Sequence, residues 1–349
     1  MKRQNPFFCM IPKTALFIIY LSLFAFTACT GPWEINSPYK QVDWQRHGQY
    51  KANLHTHTTV NGGSLSPQAV VDLYHQHGYS ILAITDHNVV SYPWTEFAAM
   101  KAGSDQKGNS AYENRDPEQL GMIAIQGSEI SSPHHAGSLF NDYNQPTGQE
   151  DSSFAAIGAK NGLVIINHPG RYQHNAQWYI DFYRMYGHLK GMEIYNNGDR
   201  YPGDRQLWDS VLVALLPSRP VWAFSNDDMH GEKSLGRNWN IFVLPELTNE
   251  WVRKGIEEGR SFFVYSPEGP RNPAIPVIHS VRIKPQKGRI QLMVTGQDSI
   301  HWISGGKIIQ KGNSFSLNDL KELPAYVRAE IYGTGGVVMG TQPFIVQKK

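Results

Sequence analysis

From residue 50 onward, short apolar runs alternate with helical patterns, and most of the runs end in a histidine or a carboxylate. Tyr50-Lys51-Ala52-Asn53-Leu54 predicts a strand leading into His55. Ser66-Pro67 opens a helix, because serine suits the cap and proline the first turn. Val70, Val71 and Tyr74 follow at helical spacing, and Gly78 ends the helix. Ile81-Leu82-Ala83-Ile84 is a short apolar run, read as a buried strand that delivers Thr85-Asp86-His87. The rhythm recurs. Met122-Ile123-Ala124-Ile125 leads to Gly127-Ser128-Glu129, and a helix over 154–161 precedes Leu163-Val164-Ile165-Ile166, which ends at Asn167-His168-Pro169. Gly191-Met192-Glu193-Ile194 is a further strand, 205–216 a helix, and Val221-Trp222-Ala223-Phe224 a strand followed by Ser225-Asn226-Asp227-Asp228-Met229-His230.

Strands alternating with helices predict an α/β fold with a parallel sheet. Parallel α/β barrels assemble their sites at the C-terminal ends of the strands, where these polar residues fall. After a helix over 247–259, with Trp251, Val252 and Ile256 on one face, the texture changes. Alternating segments at 280–283, 290–294 and 326–332 predict antiparallel strands and a small C-terminal β-sandwich-like domain. The expected division is a leader over 1–29, a tether over 30–49, the α/β body over 50–270 and the β domain over 271–349.

The chain has 349 residues, 40% apolar and 18% charged, a globular rather than a disordered balance. A formal net charge of +2, with no long basic run, argues against a nucleic-acid-coating role. Both cysteines, Cys9 and Cys29, lie in the leader, so no disulfide staples the body. Lys2, Arg3 and Lys13 precede an apolar stretch over 14–28 that is short for a membrane span. It ends in Phe26-Thr27-Ala28-Cys29, which resembles a bacterial lipoprotein signal. That resemblance implies export and attachment to the cell envelope through a lipidated Cys29, at the outer membrane or periplasmic face if the source is Gram-negative. The alternative is an uncleaved anchor helix.

His55-Thr56-His57 places two imidazoles on the same side of an extended chain, where both can bind one metal ion. A lone His-x-His is a weak signal. Here Asp86-His87, Glu129, His168, and Asp228 with His230 follow further predicted strands. Charged and imidazole groups are seldom gathered unless something compensates them, so a shared metal site explains the set better than packing does.

Leu54-His55-Thr56-His57, Gly63-Ser64-Leu65-Ser66-Pro67 and Leu82-Ala83-Ile84-Thr85-Asp86-His87 together resemble the opening signature of the PHP (polymerase and histidinol phosphatase) domain family. Gly127-Ser128-Glu129-Ile130, Asn167-His168-Pro169-Gly170 and Asp228-Met229-His230 resemble its later motifs, in order. The resemblance covers roughly residues 50–266. It implies a distorted (β/α)7 barrel, two or three divalent metal ions and hydrolysis of phosphoesters. By the same resemblance His55, His57 and Asp228 hold a first metal, Glu129 bridges two, His87 binds the second, and His168 and His230 serve a third site or support the cluster. Asp86 is given supporting or proton-relay work. Two departures stand out. The family places Asp or His where this chain has Asn61-Gly62, so one ligand is missing. A further ligand is expected after Glu129, and both His134 and His135 are candidates; His135 is carried in the ligand set.

Imidazole and carboxylate donors suit Zn, Mn or Fe. Such ions supply hydroxide near neutral pH and screen phosphate oxygens, so no protein nucleophile is required. None is evident: there is no Gly-x-Ser-x-Gly elbow and no catalytic cysteine in the mature chain. Arg171 and Arg237 are the candidates for binding substrate phosphate, through bidentate guanidinium donors. His75, His77, His174 and His188 read as surface or boundary residues. The expected activity is metal-dependent hydrolysis of a phosphate ester: a small phosphomonoester, a nucleotide or a nucleic-acid end. The competing readings are a metal-dependent hydrolase of a non-phosphate ester or amide, and a non-catalytic, lipid-anchored binding protein.

Overall fold

In the computed structural model, which describes residues 33–100, 111–272 and 274–349, Ser66 caps helix α1 (Pro67–Gln76) by accepting a hydrogen bond from the Ala69 amide. Val70, Val71 and Tyr74 are buried on its inner face, as their spacing predicts. The remaining helices are α2 (Glu150–Ala159), α3 (Ala176–Met185), α4 (Asp204–Leu215) and α5 (Asn249–Glu258). α3 has no counterpart in the sequence reading; Asn175 caps it by accepting from the Trp178 amide. The leader with Cys9 and Cys29 lies outside the described residues. No helix among the described residues is long and apolar enough to cross a membrane.

The strands of the first three-quarters are β1 (Trp33–Asn36), β2 (Gly48–Asn53), β3 (Ile81–Ala83), β4 (Ile123–Ile125), β5 (Gly127–Ser131), β6 (His135–Leu139), β7 (Leu163–Ile166), β8 (Leu189–Asn196), β9 (Trp222–Asn226), β10 (Asn238–Leu244) and β11 (Ser261–Tyr265). β2, β3 and β4 pair in parallel, as do β7, β8 and β9. Between them β5 and β6 form an antiparallel hairpin, and β6 is antiparallel to β7 as well. The α/β class of the sequence reading therefore holds, but the ladders form separate sheets rather than one continuous closed barrel. Isolated bridges, Thr56 to Met229 and His87 to Glu129, tie the two sheets together where the strands end.

The C-terminal strands are β12 (Val277–Lys284), β13 (Arg289–Thr295), β14 (Gln297–Ser304), β15 (Lys307–Lys311), β16 (Ser314–Ser316), β17 (Tyr326–Gly333), β18 (Val337–Thr341) and β19 (Phe344–Lys348). β12, β13 and β16 form a three-stranded sheet, while β18 pairs with β11 and so extends the sheet of the α/β part. Ile278, Ile290 and Phe315 of the small sheet pack in one core with Trp302 and Ile331 of the large one. Trp302 is fully buried and donates to the Gly312 carbonyl, so it belongs to the core. Arg328 on β17 donates to both carboxylate oxygens of Asp209 on α4, at 2.9 and 2.8 Å, and to Glu330 at 2.6 Å. The stretch expected as a tether is docked instead: β1 pairs with β19, and Tyr39 is buried against Phe262. Its apolar residues are few and scattered, and the long-range partner that orders them is invisible in local sequence.

Candidate metal centre

Glu129 leaves the start of the β5–β6 hairpin fully buried, and imidazoles from three other segments and from its own hairpin close on its carboxylate. His55 Nε2 lies 3.2 Å from Oε1, His168 Nε2 3.2 Å and His135 Nδ1 3.1 Å. His87 Nδ1 stands 2.9 Å and His57 Nε2 3.4 Å from Oε2. Asp228 Oδ1 is 3.2 Å from both His55 Nε2 and His57 Nε2, and 3.4 Å from His230 Nδ1. The spacing of His55 and His57 works as expected, with their Nε2 atoms 3.1 Å apart.

Four groups of donors lie within 4.8 Å of one another: His55, His57 and Asp228; His55, Glu129 and His168; His87, Glu129 and His135; and His57, His87 and His230. All eight residues in the expected ligand set therefore come together. Asp228 Oδ1, Glu129 Oε2, His87 Nδ1 and His135 Nδ1 are buried without a hydrogen bond, although the distances above are short. Close donors and acceptors that no proton aligns are what lone pairs directed at a shared cation produce, and buried polar atoms otherwise find partners. The donor set thus fits divalent metal.

Electrostatics agrees. Burial would lower the His55 pKa, but Glu129, Asp228 and Glu193 outweigh it and hold the imidazole well above its ordinary value. Burial likewise opposes ionisation of Glu129 and Asp228, yet His55 and its neighbours keep both carboxyls ionised at pH values below the usual range. Burial pulls His57 down to about 4. His168 (φ 29°) and Asp228 (φ 46°) adopt left-handed backbone, uncommon outside glycine and concentrated at functional sites.

The structure separates the two hairpin histidines. His135 turns to Glu129, whereas His134 faces away, with Nδ1 at 2.8 Å from the His135 carbonyl, Nε2 at 3.1 Å from the Tyr179 hydroxyl, and its ring against Tyr172 and Trp178. A Cβ at Gly62 would sit 2.9 Å from His87 Cδ2 and 3.2 Å from His57 Nδ1, so the glycine removes a side chain from directly beside that imidazole pair.

Asp86 does not point at the cluster. Its carboxylate accepts from the Thr58 amide at 2.6 Å, the Thr58 hydroxyl at 2.7 Å and the Ser91 hydroxyl, and so fixes the chain leaving His57. Arg171 is exposed on the rim, close enough to His135 to depress its pKa beyond what burial does. Arg237 stays apart: its amide donates to Asp227, its guanidinium lies against Gly198, and it lines a cleft of about 800 Å³ with Lys233 and Arg271 that none of the cluster residues lines.

Glu193 is the residue the sequence reading lacks. It is fully buried on β8, accepts from His55 Nδ1 and from Asn226 Nδ2 at 2.9 Å each, and takes the His168 amide at 2.9 Å and Asn196 Nδ2 at 2.8 Å. Asn167 adds a 2.9 Å hydrogen bond to Glu129. A carboxylate inside a predicted buried strand, Met192-Glu193-Ile194, was the available signal, because such a charge requires partners.

Neither a protein-family model nor a curated protein matches the chain. Among solved structures, a two-domain protein containing a predicted PHP-like metal-dependent phosphoesterase from Bacteroides vulgatus is similar over 90% of this chain and 98% of its own, with 17% identity and a TM-score of 0.51. PsfC from Pseudomonas syringae is similar over 64% of this chain and 94% of its own, at 12% identity and a TM-score of 0.43. An amidohydrolase from Chromobacterium violaceum is similar over 60% and 96%, at 16% identity and a TM-score of 0.39. The first of these spans nearly the whole chain, and on that likeness the chain is built on a PHP-like fold.

Proposed function

We propose that this chain is a metal-dependent phosphoesterase that hydrolyses a phosphate ester with water. The observation that supports it is the convergence on Glu129 of buried donors without hydrogen bonds. His55, His57 and Asp228 would hold one ion, and His87, Glu129 and His135 a second, with Glu129 shared. His168 and His230 complete further groups of three, so two or three ions of Zn, Mn or Fe are accommodated by this set. Bound divalent ions supply Lewis acidity at phosphate and a lowered water pKa. The chain's own residues do the rest. Glu193 holds His55 with Nε2 turned to the cluster, Asp86 fixes the loop after His57, and Arg171 stands at the rim where a phosphate oxygen would take its guanidinium.

β2, β3, β5 to β9 and the two bridges trace a seven-membered ring, consistent with a distorted (β/α)7 barrel whose mouth carries the cluster. Attachment to the cell envelope through Cys29 rests on the leader sequence alone.

The test is turnover of a panel of phosphomonoesters, phosphodiesters, carboxylic esters and amides by the chain starting after Cys29, with Mn or Zn added. Release of phosphate or cleavage of a diester supports the reading. Cleavage of carboxylic esters or amides alone would replace it with a different metal-dependent hydrolase.

A further inference from the structure

Two adjacent parallel strands, β7 and β8, each end in a loop carrying an Arg-Tyr pair, Arg171-Tyr172 and Arg200-Tyr201. Both tyrosines flank the same cluster residue: their ring centroids lie 6.1 and 6.3 Å from that of His168. Each guanidinium sits over its neighbouring ring, at 5.7 Å for Arg171 and 5.2 Å for Arg200, and both arginines are exposed. Tyr172 is anchored, since its hydroxyl accepts the His135 amide, while the Tyr201 hydroxyl has no hydrogen bond among the described residues.

The carboxylates around these loops offer neither arginine a partner: Asp199 and Glu193 are committed, and Asp204 is buried with its Oδ1 lacking a hydrogen bond. Asp199 is held by Arg205 through both oxygens, at 2.7 and 3.1 Å. Asp204 is buried against Gly170, and Glu193 is saturated by His55, His168, Asn196 and Asn226. Neither Arg171 nor Arg200 has a carboxylate within 4 Å among the described residues, unlike Arg205, Arg260 and Arg328. One arginine suffices beside a reacting phosphate that metal ions already neutralise. A second, placed one aromatic ring out from the cluster, has nothing to pair with inside the protein.

We propose that Arg200, with Tyr201 and assisted by Arg171, forms a second anion subsite, so that the substrate is a phosphate ester carrying a further anionic group, phosphate or carboxylate, a few bonds from the ester that is cut. This rests on the phosphoesterase reading. The guanidinium supplies paired N–H donors to that distal anion, and the tyrosine holds it on the rim.

The test compares n-butyl phosphate, butanediyl bisphosphate and the phosphate ester of hydroxybutyrate on the metal-loaded protein and on Arg200→Ala and Arg200→Lys. The wild type is expected to favour at least one doubly anionic substrate in kcat/KM by about tenfold, the size of one charge-assisted contact. Which of the two is favoured identifies the distal group. Arg200→Ala should bring the ratio between doubly and singly anionic substrates close to unity, mainly through KM, and Arg200→Lys should restore part of it. Equal kcat/KM for all three, or a ratio that survives Arg200→Ala, would overturn the subsite. If none of the three is hydrolysed, the phosphoesterase reading is what suffers, and calorimetric binding of the same three compounds still reads the subsite. Preference for the doubly anionic compounds that is lost in Arg200→Ala would support it, and equal binding would refute it.

Discussion

Glu193 Oε1 stands 2.9 Å from His55 Nδ1, on the side of the imidazole turned away from the cluster. In the neutral, ligating form of His55 that contact makes Nδ1 the protonated nitrogen and leaves Nε2, between Glu129 and Asp228, free for a cation. The other oxygen of the same carboxylate holds the His168 amide, where the backbone is left-handed. One side chain thereby sets two donor residues.

Glu193→Gln keeps the size but offers a single acceptor oxygen. Either His55 Nδ1 or the His168 amide then faces an NH2 group. Metal affinity is expected to fall by about 10–100-fold, the usual cost of losing such a partner. Competition against a chelating dye measures it, and unchanged affinity would show that Glu193 does not orient the donors.

Asp86→Asn separates clamping from proton relay. The substitution sets an NH2 donor among the Thr58 amide, the Thr58 hydroxyl and the Ser91 hydroxyl. Stability in urea should drop by about 1–3 kcal/mol. The shape of the pH–rate profile should persist, whereas loss of one limb of that profile with stability intact would return Asp86 to the relay role.

The donors that ended apolar runs were legible in sequence: His55, His57, His87, Glu129, His168 and Asp228 each follow a run whose hydrophobicity forces it inside. His135 was not separable from His134, because neighbours on a strand face opposite ways and the weakly apolar stretch Ala136-Gly137-Ser138 gave no hint of β6. Glu193 was legible only as a charge in a buried strand, because its partners come from three other segments. The docking of β1 on β19, and of Arg328 on Asp209, depends on residues far apart in the chain, which periodicity does not encode. The breaks in a continuous barrel have the same origin: between β3 and β5, and between β9 and β2, only single bridges close the ring.

Burial pulls His134 down to about 3, against an ordinary value of 6.5. The unfolded chain therefore binds this proton before the folded one does. The contribution to stability is intact above pH 6.5 and is lost as pH falls through that window toward 3. His134→Phe keeps the stack on Trp178 and removes the proton. In metal-free protein the slope of stability against pH between about 6 and 4 should flatten by up to about 1.4 kcal/mol per pH unit. A slope identical to wild type would mean that His134 is protonated in the fold.

Asp209→Ala leaves the Arg328 guanidinium buried with Glu330 as its remaining acidic partner. A loss of about 3–5 kcal/mol is expected from stranding such a charge. Adding Arg328→Met to Asp209→Ala should recover part of it. Thermal unfolding of the single and double variants measures both, and a neutral single variant would show that α4 and β17 are held by apolar packing alone.

The most direct test of the account is phosphate release by chelator-stripped protein as Mn or Zn is titrated back, beside Glu129→Gln. The account predicts no release before addition, saturable recovery with two or three ions bound per chain, and at most residual release in the variant. Release that is indifferent to chelator, or equal in Glu129→Gln, would contradict it.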